Sequence, residues 1–195
     1  MLVKKLLARF INDKVLQNAE HCYITTDVIS VAALDLFMGK VGIKCKVDIV
    51  TSLDPRTSPD VLRKILTNYP ERIKLRIYTQ NTIQAKVFAF DLPYRKRLAF
   101  IGSSNFTIEG LAENEELSWQ ISTEKEVEEL KTWFTRYFEY SVALTPEIVA
   151  AYEPICQAAQ ERAETTNREK QQFMDSIAGL FNTDPASDGV YHSGI

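Results

Sequence analysis

Histidine and cysteine are scarce in this chain of 195 residues, which contains two histidines and three cysteines. The number of cysteines is odd and their spacing matches no metal-binding motif, which disfavours both a disulfide framework and a zinc site. Two of them, Cys22 and Cys45, lie in apolar segments typical of strands. Reduced thiols of this kind are typical of a cytoplasmic protein, so the cytoplasm is the expected location.

The chain also lacks a long apolar run. No segment approaches the roughly 20 apolar residues that a membrane-spanning helix needs. Residues 1–7 resemble the start of a signal peptide, but Arg9, Asn12 and Asp13 follow before a hydrophobic region develops. A secreted or membrane-bound lipase is therefore disfavoured, and we expect no membrane partner.

An excess of positive charge is missing as well. The 23 Lys and Arg residues against 26 Asp and Glu residues give a net charge of −3, which provides no general attraction to nucleic acid. A local exception is the run Arg95, Lys96 and Arg97. These residues form either an ordinary charged turn or a contact with a phosphate backbone beside a functional site. No aromatic-rich RNA-binding signature accompanies them.

One short region nevertheless concentrates polar groups that suit an anion. Residues 83–90 alternate as a strand, so Gln84 and Lys86 lie on one face while the apolar residues between them lie on the other. This places a carboxamide beside an ammonium group on one surface. Taken alone, such a pair is usually no more than a solvated strand face.

A second polar group follows the next predicted strand. Residues 98–102 are apolar and lead into Ser103, Ser104 and Asn105, after which residues 106–111 predict a helix. Free N–H groups at the start of a helix favour an anion. Together with a lysine, the hydroxyl and the amide can hold the non-bridging oxygens of a phosphate. Taken alone, the sequence Gly-Ser-Ser-Asn is more often a turn.

The two regions together resemble the phospholipase D superfamily signature, H-x-K-x4-D followed by G-S-x-N. Gln84 stands where that family carries its nucleophilic histidine. The sequence Asn-Glu-Glu at 114–116 matches the N-x-E that often follows. Five residues occupy positions that the signature requires: Lys86, Asp91, Gly102, Ser103 and Asn105.

The resemblance implies a role for each matched residue. In this family one histidine attacks phosphorus and a second protonates the leaving oxygen, and chains with a single motif supply the two histidines from two subunits of a homodimer. This chemistry uses neither a metal ion nor a cofactor. The implied catalytic positions are Gln84, Lys86, Ser103, Asn105 and Glu116. Of these, Lys86, Ser103 and Asn105 are implied to bind phosphate, Glu116 to orient the side chain at position 84, and Asp91 and Gly102 to be structural.

Glutamine cannot perform the work of that histidine. A carboxamide is not a useful nucleophile and does not titrate near neutrality, whereas imidazole is a good nucleophile and does titrate there. Rescue by His21, before the first predicted strand, or by His192, near the end of the chain, is improbable. Two interpretations stay open: a phosphodiesterase that is inactive or nearly so, or a non-catalytic nucleic-acid-binding or scaffolding subunit.

Within the superfamily, the chain resembles the nuclease domain of restriction endonucleases of the NgoFVII and BfiI type. This resemblance implies DNA rather than RNA as the substrate. It also implies a restriction or phage-defence context, in which a separate DNA-recognition or helicase-like subunit is a further expected partner.

The pattern of predicted elements gives an α/β fold, a phospholipase D-like α/β/α sandwich with a central mixed β-sheet. Residues 1–165 are expected to form the phosphodiesterase domain with its C-terminal helices, and residues 166–195 a polar helical extension and flexible tail. Strands are predicted at 22–25, 43–51, 73–79, 83–90, 98–102 and 116–122. Helices are predicted at 28–38, 58–67, 106–111, 124–140, 145–164 and 168–181.

Overall fold

An eight-stranded mixed sheet forms the centre of the fold. Its order is β1-β7-β6-β5-β2-β3-β4-β8, in which β2, β3 and β4 are mutually parallel and the other neighbours are antiparallel. The predicted α/β class with a mixed sheet is confirmed. The strands are β1 (Leu2–Val3), β2 (His21–Thr26), β3 (Lys46–Thr51), β4 (Ile73–Ile77), β5 (Lys86–Asp91), β6 (Arg97–Gly102), β7 (Ser118–Ile121) and β8 (Val142–Ala143).

Helices cover both faces of this sheet. The alternation of β5 divides its side chains between them: Phe88 and Phe90 enter the main core, whereas Val87 and Ala89 pack on the other face with Val127. The main core contains residues from all helices except α5, so the α/β/α layering is also confirmed. The helices are α1 (Leu6–Asn12), α2 (Val15–Asn18), α3 (Val31–Lys40), α4 (Pro59–Asn68), α5 (Glu124–Glu139) and α6 (Pro146–Phe181).

The computed structural model describes residues 1–181, with side chains to residue 177. The chain separates into two compact units, Met1–Cys156 and Gln157–Ile195, and the first contains the whole sheet. Because α6 is continuous, 168–181 is not a separate helix. The boundary expected between residues 165 and 166 stays a prediction. The predicted tail at 182–195 lies outside the described residues. No helix in the described part is long and apolar enough to span a membrane.

Two elements near the motif begin later than the sequence predicted. The helix expected from residue 28 starts at Val31, because the Ser30 hydroxyl accepts the N–H of Ala33 at 3.2 Å and caps it there. Residues 27–30 therefore form a connection that leaves Asp27 at the carboxyl end of β2. By contrast, α4 begins at Pro59, as predicted.

The motif strand β5 begins at Lys86 rather than at residue 83. The side chain of Thr25 explains the difference. Its hydroxyl donates to the carbonyl of Ala85 at 2.7 Å and accepts the N–H of Val87 at 3.0 Å, so it replaces the regular ladder at this point. Gln84 consequently lies in the connection before the strand.

Candidate functional site

The two halves of the motif meet at one edge of the sheet. Lys86, the first residue of β5, pairs in register with Gly102, the last residue of β6. The parallel strands β2 and β3 also end at this edge, with Asp27 directly after β2. The carboxyl ends of parallel strands are a common position for ligand sites in α/β folds. We refer to this region, formed by Asp27, Lys86, Gly102 and Ser103, as the motif edge.

Close backbone packing brings Ser103 and Glu116 together. A Cβ atom added at Gly102 would lie 2.2 Å from the carbonyl oxygen of Leu117, so only glycine permits this approach of β6 to the following chain. The Ser103 hydroxyl donates a hydrogen bond to the Glu116 carboxylate and accepts the N–H of Leu117 at 3.2 Å. The serine and the glutamate of the signature therefore form one unit.

Asn105 is held by the turn that follows. Its Oδ1 lies 3.3 Å from the hydroxyl of Thr26, which also accepts the N–H of Phe106 at 3.0 Å. The helix expected at 106–111 is replaced by a π-helical turn, Glu109–Glu113. Gly110 in this turn packs against the backbone of Asn105, where a Cβ would lie 2.6 Å from its carbonyl oxygen. The Gly110 N–H at the start of this turn donates to the Thr107 hydroxyl at 3.0 Å, so this group is not free for an anion.

A polar cleft of about 380 Å³ opens at this position. Asn105 and Glu116 line it, and so does Arg56 from the loop after β3. The sequence analysis did not identify Arg56, because it belongs to no motif and lies about 50 residues before Asn105. The remaining lining residues are Val28, Ser30, Thr107, Glu109, Gly110 and Asn114.

Lys86 is held by a buried ion pair. Its side chain is 8% exposed, and its ammonium group donates to the Asp27 carboxylate and, at 2.9 Å, to the Gln84 carbonyl oxygen. Asp27 is 6% exposed and also accepts a hydrogen bond from the Ser52 hydroxyl at 3.1 Å. A phosphate would have to compete with Asp27 for the lysine. The sequence analysis missed Asp27 as a site residue, although an acidic residue directly after an apolar strand was a usable signal.

The second cation of the site is also paired with an aspartate. Arg56 donates to both carboxylate oxygens of Asp54, at 2.8 Å and 2.9 Å, and these bonds hold the pKa of Asp54 below its usual range. Unlike Lys86, Arg56 is mainly in solvent, with 68% of its side chain exposed. It can therefore turn toward a ligand at little cost.

Gln84 lies beside this cleft rather than in it. Its side chain is exposed and lines a different cavity of about 220 Å³. Tyr78, which follows β4, and Trp133 and Tyr137 of α5 also line that cavity. The structure thus brings Asn105 and Glu116 to one cleft, holds Ser103 against Glu116, and keeps Lys86 in its ion pair at the same edge. An orienting contact from Glu116 to position 84 stays a prediction.

Asp91 and the basic run lie at the opposite end of the same strands. Asp91 is five positions after Lys86 in β5, a distance of about 16 Å. Asp91 accepts hydrogen bonds from Tyr23 at 2.9 Å and from Lys131 at 2.8 Å, which tie β5 to β2 and α5.

The basic run therefore does not lie beside the motif edge, and that expectation is wrong. Arg97 pairs with Asp91 at 3.5 Å and with Glu128 at 2.5 Å, so its charge is already compensated. Arg95 and Lys96 are exposed at the hairpin turn. A contact between these two residues and nucleic acid stays a prediction.

No imidazole lies at the motif edge among the residues that the structure describes. His21 pairs in register with Asp91 at the far end, where its Nε2 is 2.9 Å from Asp48 and its ring stacks on Tyr23. His192 lies outside the described residues. Within the same described part, His, Cys, Asp and Glu side chains form no group of three or more that could hold a metal ion.

The family model described as "Cardiolipin synthase, PLD-like domain" matches residues 14–138. No curated protein matches this chain in sequence. Nuc from Salmonella typhimurium, a phospholipase D family member, has a TM-score of 0.56 at 15% identity, covering 73% of this chain and 97% of Nuc.

Two further solved structures have a similar fold. Phosphatidylserine synthase of Haemophilus influenzae Rd KW20 has a TM-score of 0.57 at 13% identity, covering 87% of this chain and 46% of the synthase. TrmBL2 is described as an archaeal chromatin protein with a novel mode of DNA binding. It has a TM-score of 0.51 at 16% identity, covering 73% of this chain and 53% of TrmBL2. At these identities the structural likeness is one of fold.

Proposed function

Because the chain belongs to the PLD-like domain family, whose model matches residues 14–138, we propose that its motif edge is a phosphodiester site acting on DNA. In this proposal Gln84 replaces the nucleophile, so the protein binds its substrate with very little hydrolysis. The observation that carries the proposal is the polar cleft, where Asn105, Arg56 and the Ser103–Glu116 unit meet at the end of the motif strands.

The chemistry of the cleft suits a phosphodiester anion. The amide of Asn105 and the guanidinium of Arg56 both supply N–H donors, and a guanidinium matches the geometry of two phosphate oxygens. Lys86 would add a third contact once a phosphate displaces Asp27 from its ammonium group. In this proposal the site holds the oxygens of a phosphate whether position 84 carries glutamine or histidine.

Hydrolysis needs two functions that the motif edge lacks. A nucleophile must attack phosphorus and a general acid must protonate the leaving oxygen, and histidines at position 84 of two copies of the chain would supply one function each. The carboxamide of Gln84 does neither at neutral pH. The two-histidine reaction implied by the resemblance uses no metal ion or cofactor, so the proposed activity of a Gln84→His variant is metal-independent.

We propose further that two copies of the chain form the working unit, since one chain carries one copy of the motif. An apolar patch suits the contact. Trp119 and Leu117 are exposed on the outer part of the sheet, and Leu2 lies opposite Trp119 in register. The N–H of Leu117 bonds to Ser103, so this patch directly adjoins the motif edge.

Light scattering tests the dimer with one matched pair of variants. Trp119→Glu places a charge in the apolar patch and is expected to give a monomer, because an unpaired charge in an interface core is costly. Ile43→Glu, which charges an exposed apolar position elsewhere, is expected to leave the mass unchanged. A monomeric parent chain, or the same mass for both variants, would contradict the dimer.

A second candidate, a non-catalytic DNA-binding subunit of a restriction or phage-defence system, is favoured by the Lys86–Asp27 ion pair. That pair occupies the lysine that a phosphate would otherwise bind. Such a subunit would act with a separate DNA-recognition or helicase-like protein. TrmBL2, which shares the fold, is described as binding DNA as a chromatin protein.

Fluorescence anisotropy with labelled DNA tests the phosphodiester site. Arg56→Ala is expected to weaken binding severalfold and to reduce the slope of log affinity against log salt by about 0.7 to 0.9, the loss of one phosphate contact. Arg63→Ala is the control, because Arg63 is an exposed arginine of α4 paired with Asp60 and Glu153. Absence of DNA binding, or equal effects of the two variants, would contradict the proposal.

A further inference from the structure

The cavity beside Gln84 has aromatic walls. Tyr78 follows β4, whereas Trp133 and Tyr137 lie on α5, one turn apart on the same face. The ring centroids of Trp133 and Tyr137 are 4.7 Å apart, and those of Tyr78 and Tyr137 are 5.0 Å apart. We refer to this space of about 220 Å³, lined by these rings and by residues 81–85, as the aromatic cavity.

Core packing does not account fully for these rings. The same helix places Phe134 in the core at 2% exposure, and Val127 is completely buried. Trp133, Tyr137 and Tyr78 are only partly buried, and each presents part of its surface to the aromatic cavity. These three residues pack against the buried clusters that contain Val127 and Phe134, and they also line the aromatic cavity.

Polar side chains lie at the mouth of the aromatic cavity. Asn81, Thr82 and Gln84 all line it and are exposed, so two carboxamides and a hydroxyl are available to a ligand. A carboxamide both donates and accepts hydrogen bonds, as the edges of nucleobases do. Aromatic faces with amides at the rim are the combination that proteins use to bind unstacked bases.

The size of the aromatic cavity fits a single ring system. An engineered apolar cavity of about 150 Å³ is known to hold benzene. The aromatic cavity, at about 220 Å³, is larger than that, and it is partly open to solvent. A nucleobase is a flat ring of this class, and its sugar–phosphate would remain outside.

We propose that the aromatic cavity is a base-binding subsite that takes one unstacked nucleobase of a single-stranded DNA. The inference rests on the proposed function, since the backbone of that strand would lie at the motif edge. Gln84 joins the two sites: its side chain lines the aromatic cavity, while its carbonyl oxygen accepts from the Lys86 ammonium at 2.9 Å. The subsite selects single strands, because the bases of a duplex are stacked and paired.

The test compares a short oligothymidylate with an abasic strand of the same length. The oligothymidylate is expected to bind at least about fivefold more tightly, the effect of stacking one base on an aromatic side chain. It is also expected to change the emission of Trp133, measured as the difference between the parent chain and Trp133→Phe, in which Trp119 alone emits. The abasic strand is expected to leave that emission unchanged.

Substitutions then test whether the preference for the oligothymidylate over the abasic strand comes from the aromatic cavity. Tyr137→Leu and Trp133→Leu keep an apolar wall but remove the aromatic face, and each is expected to lower the preference for the base-bearing strand toward one. Tyr94→Leu is the control, because Tyr94 is 94% exposed in the hairpin turn at the other end of the strands. Circular dichroism confirms folding of each variant, and either cavity variant suffices if the other unfolds.

The possible outcomes separate this subsite from the phosphodiester site. Equal, salt-dependent binding of both strands without a change in Trp133 emission overturns the subsite and leaves the phosphodiester site standing. A cavity variant that weakens both strands equally also overturns it, because the loss is then not specific to the base. If neither strand binds, the proposed function and the subsite both fail.

Discussion

The ammonium group of Lys86 contacts the carboxylate of Asp27 where β2 ends and β5 begins, and both side chains are buried. Breaking a buried pair by removing one partner is costly, because the remaining charge has neither water nor a counterion. The pair therefore holds the Lys86 side chain in place when no anion is bound. A phosphate at the motif edge would take over the role of Asp27.

Asp27→Asn is the first predicted change. It leaves Lys86 as an uncompensated buried cation and is expected to lower the free energy of unfolding by about 3–5 kcal/mol. An anion that reaches Lys86 restores part of that loss. Urea unfolding in sodium phosphate and in sodium chloride of equal ionic strength measures both effects.

The control for Asp27→Asn is Asp48→Asn, which removes the carboxylate beside His21 at the far end of the sheet. Phosphate is expected to stabilise the Asp27 variant more than the parent chain and to leave the Asp48 variant no different from the parent. If phosphate has the same effect on all three proteins, Lys86 is not accessible to an anion.

A pH dependence follows from the pairing of Asp54 with Arg56. Hydrogen bonds from Arg56 lower the pKa of Asp54, so the pair stabilises the fold above the usual aspartate pKa of about 3.9 and loses that contribution as the pH falls through the lowered value. Because Arg56 is largely exposed, the contribution is at most about 1 kcal/mol. Asp54→Asn is therefore expected to be slightly less stable than the parent at pH 7, and the difference is expected to disappear as the pH falls through the lowered pKa of Asp54.

The same substitution has an expected effect on binding. Asp54→Asn releases Arg56 toward the polar cleft, so the affinity for DNA at pH 7 is expected to rise severalfold. Anisotropy titrations of the two proteins measure this change. A lower affinity would mean that Asp54 positions Arg56 for the ligand instead of competing for it.

Gly102→Ala tests the close approach that builds the Ser103–Glu116 unit. The new Cβ would meet the Leu117 carbonyl at 2.2 Å, and overpacking of this kind costs about 1–3 kcal/mol. Gly39→Ala in α3 is the matched control, since no atom lies within 4 Å of its Cβ, and a gain of about 0.5–1 kcal/mol is expected there. Thermal unfolding of both variants measures the difference, and equal effects would contradict the packing account.

Much of the fold was predictable because the patterns are local. The alternation of residues in β5 and the position of Pro59 at the start of α4 are encoded within a few neighbouring residues. The later start of β5 was not predictable. The Thr25 side chain that replaces the regular backbone hydrogen bonds there is 60 residues away from Ala85 in sequence. The true start of α3 depends on the cap Ser30, whereas the sequence pattern predicted a helix from residue 28.

Some residues of the candidate site were likewise predictable from the sequence, and others were not. Ser103, Asn105 and Glu116 were predicted from the spacing of the signature, and the structure places them together. Asp27 and Arg56 were missed, because their relation to the motif exists only after the strands are ordered side by side. The basic run at 95–97 was misplaced although the order of the two strands already puts their turn at the end opposite to Lys86 and Gly102.

The most direct test of the central claim is a matched cleavage assay of this chain and of Gln84→His. Labelled single- and double-stranded DNA is the substrate, and EDTA is present throughout. The account predicts that Gln84→His cleaves at least about 100-fold faster than the parent. Gln84→His combined with Asn105→Ala is expected to be silent. Cleavage by the parent chain itself, or a folded, DNA-binding Gln84→His variant that does not cleave, would contradict the claim that only the nucleophile is missing.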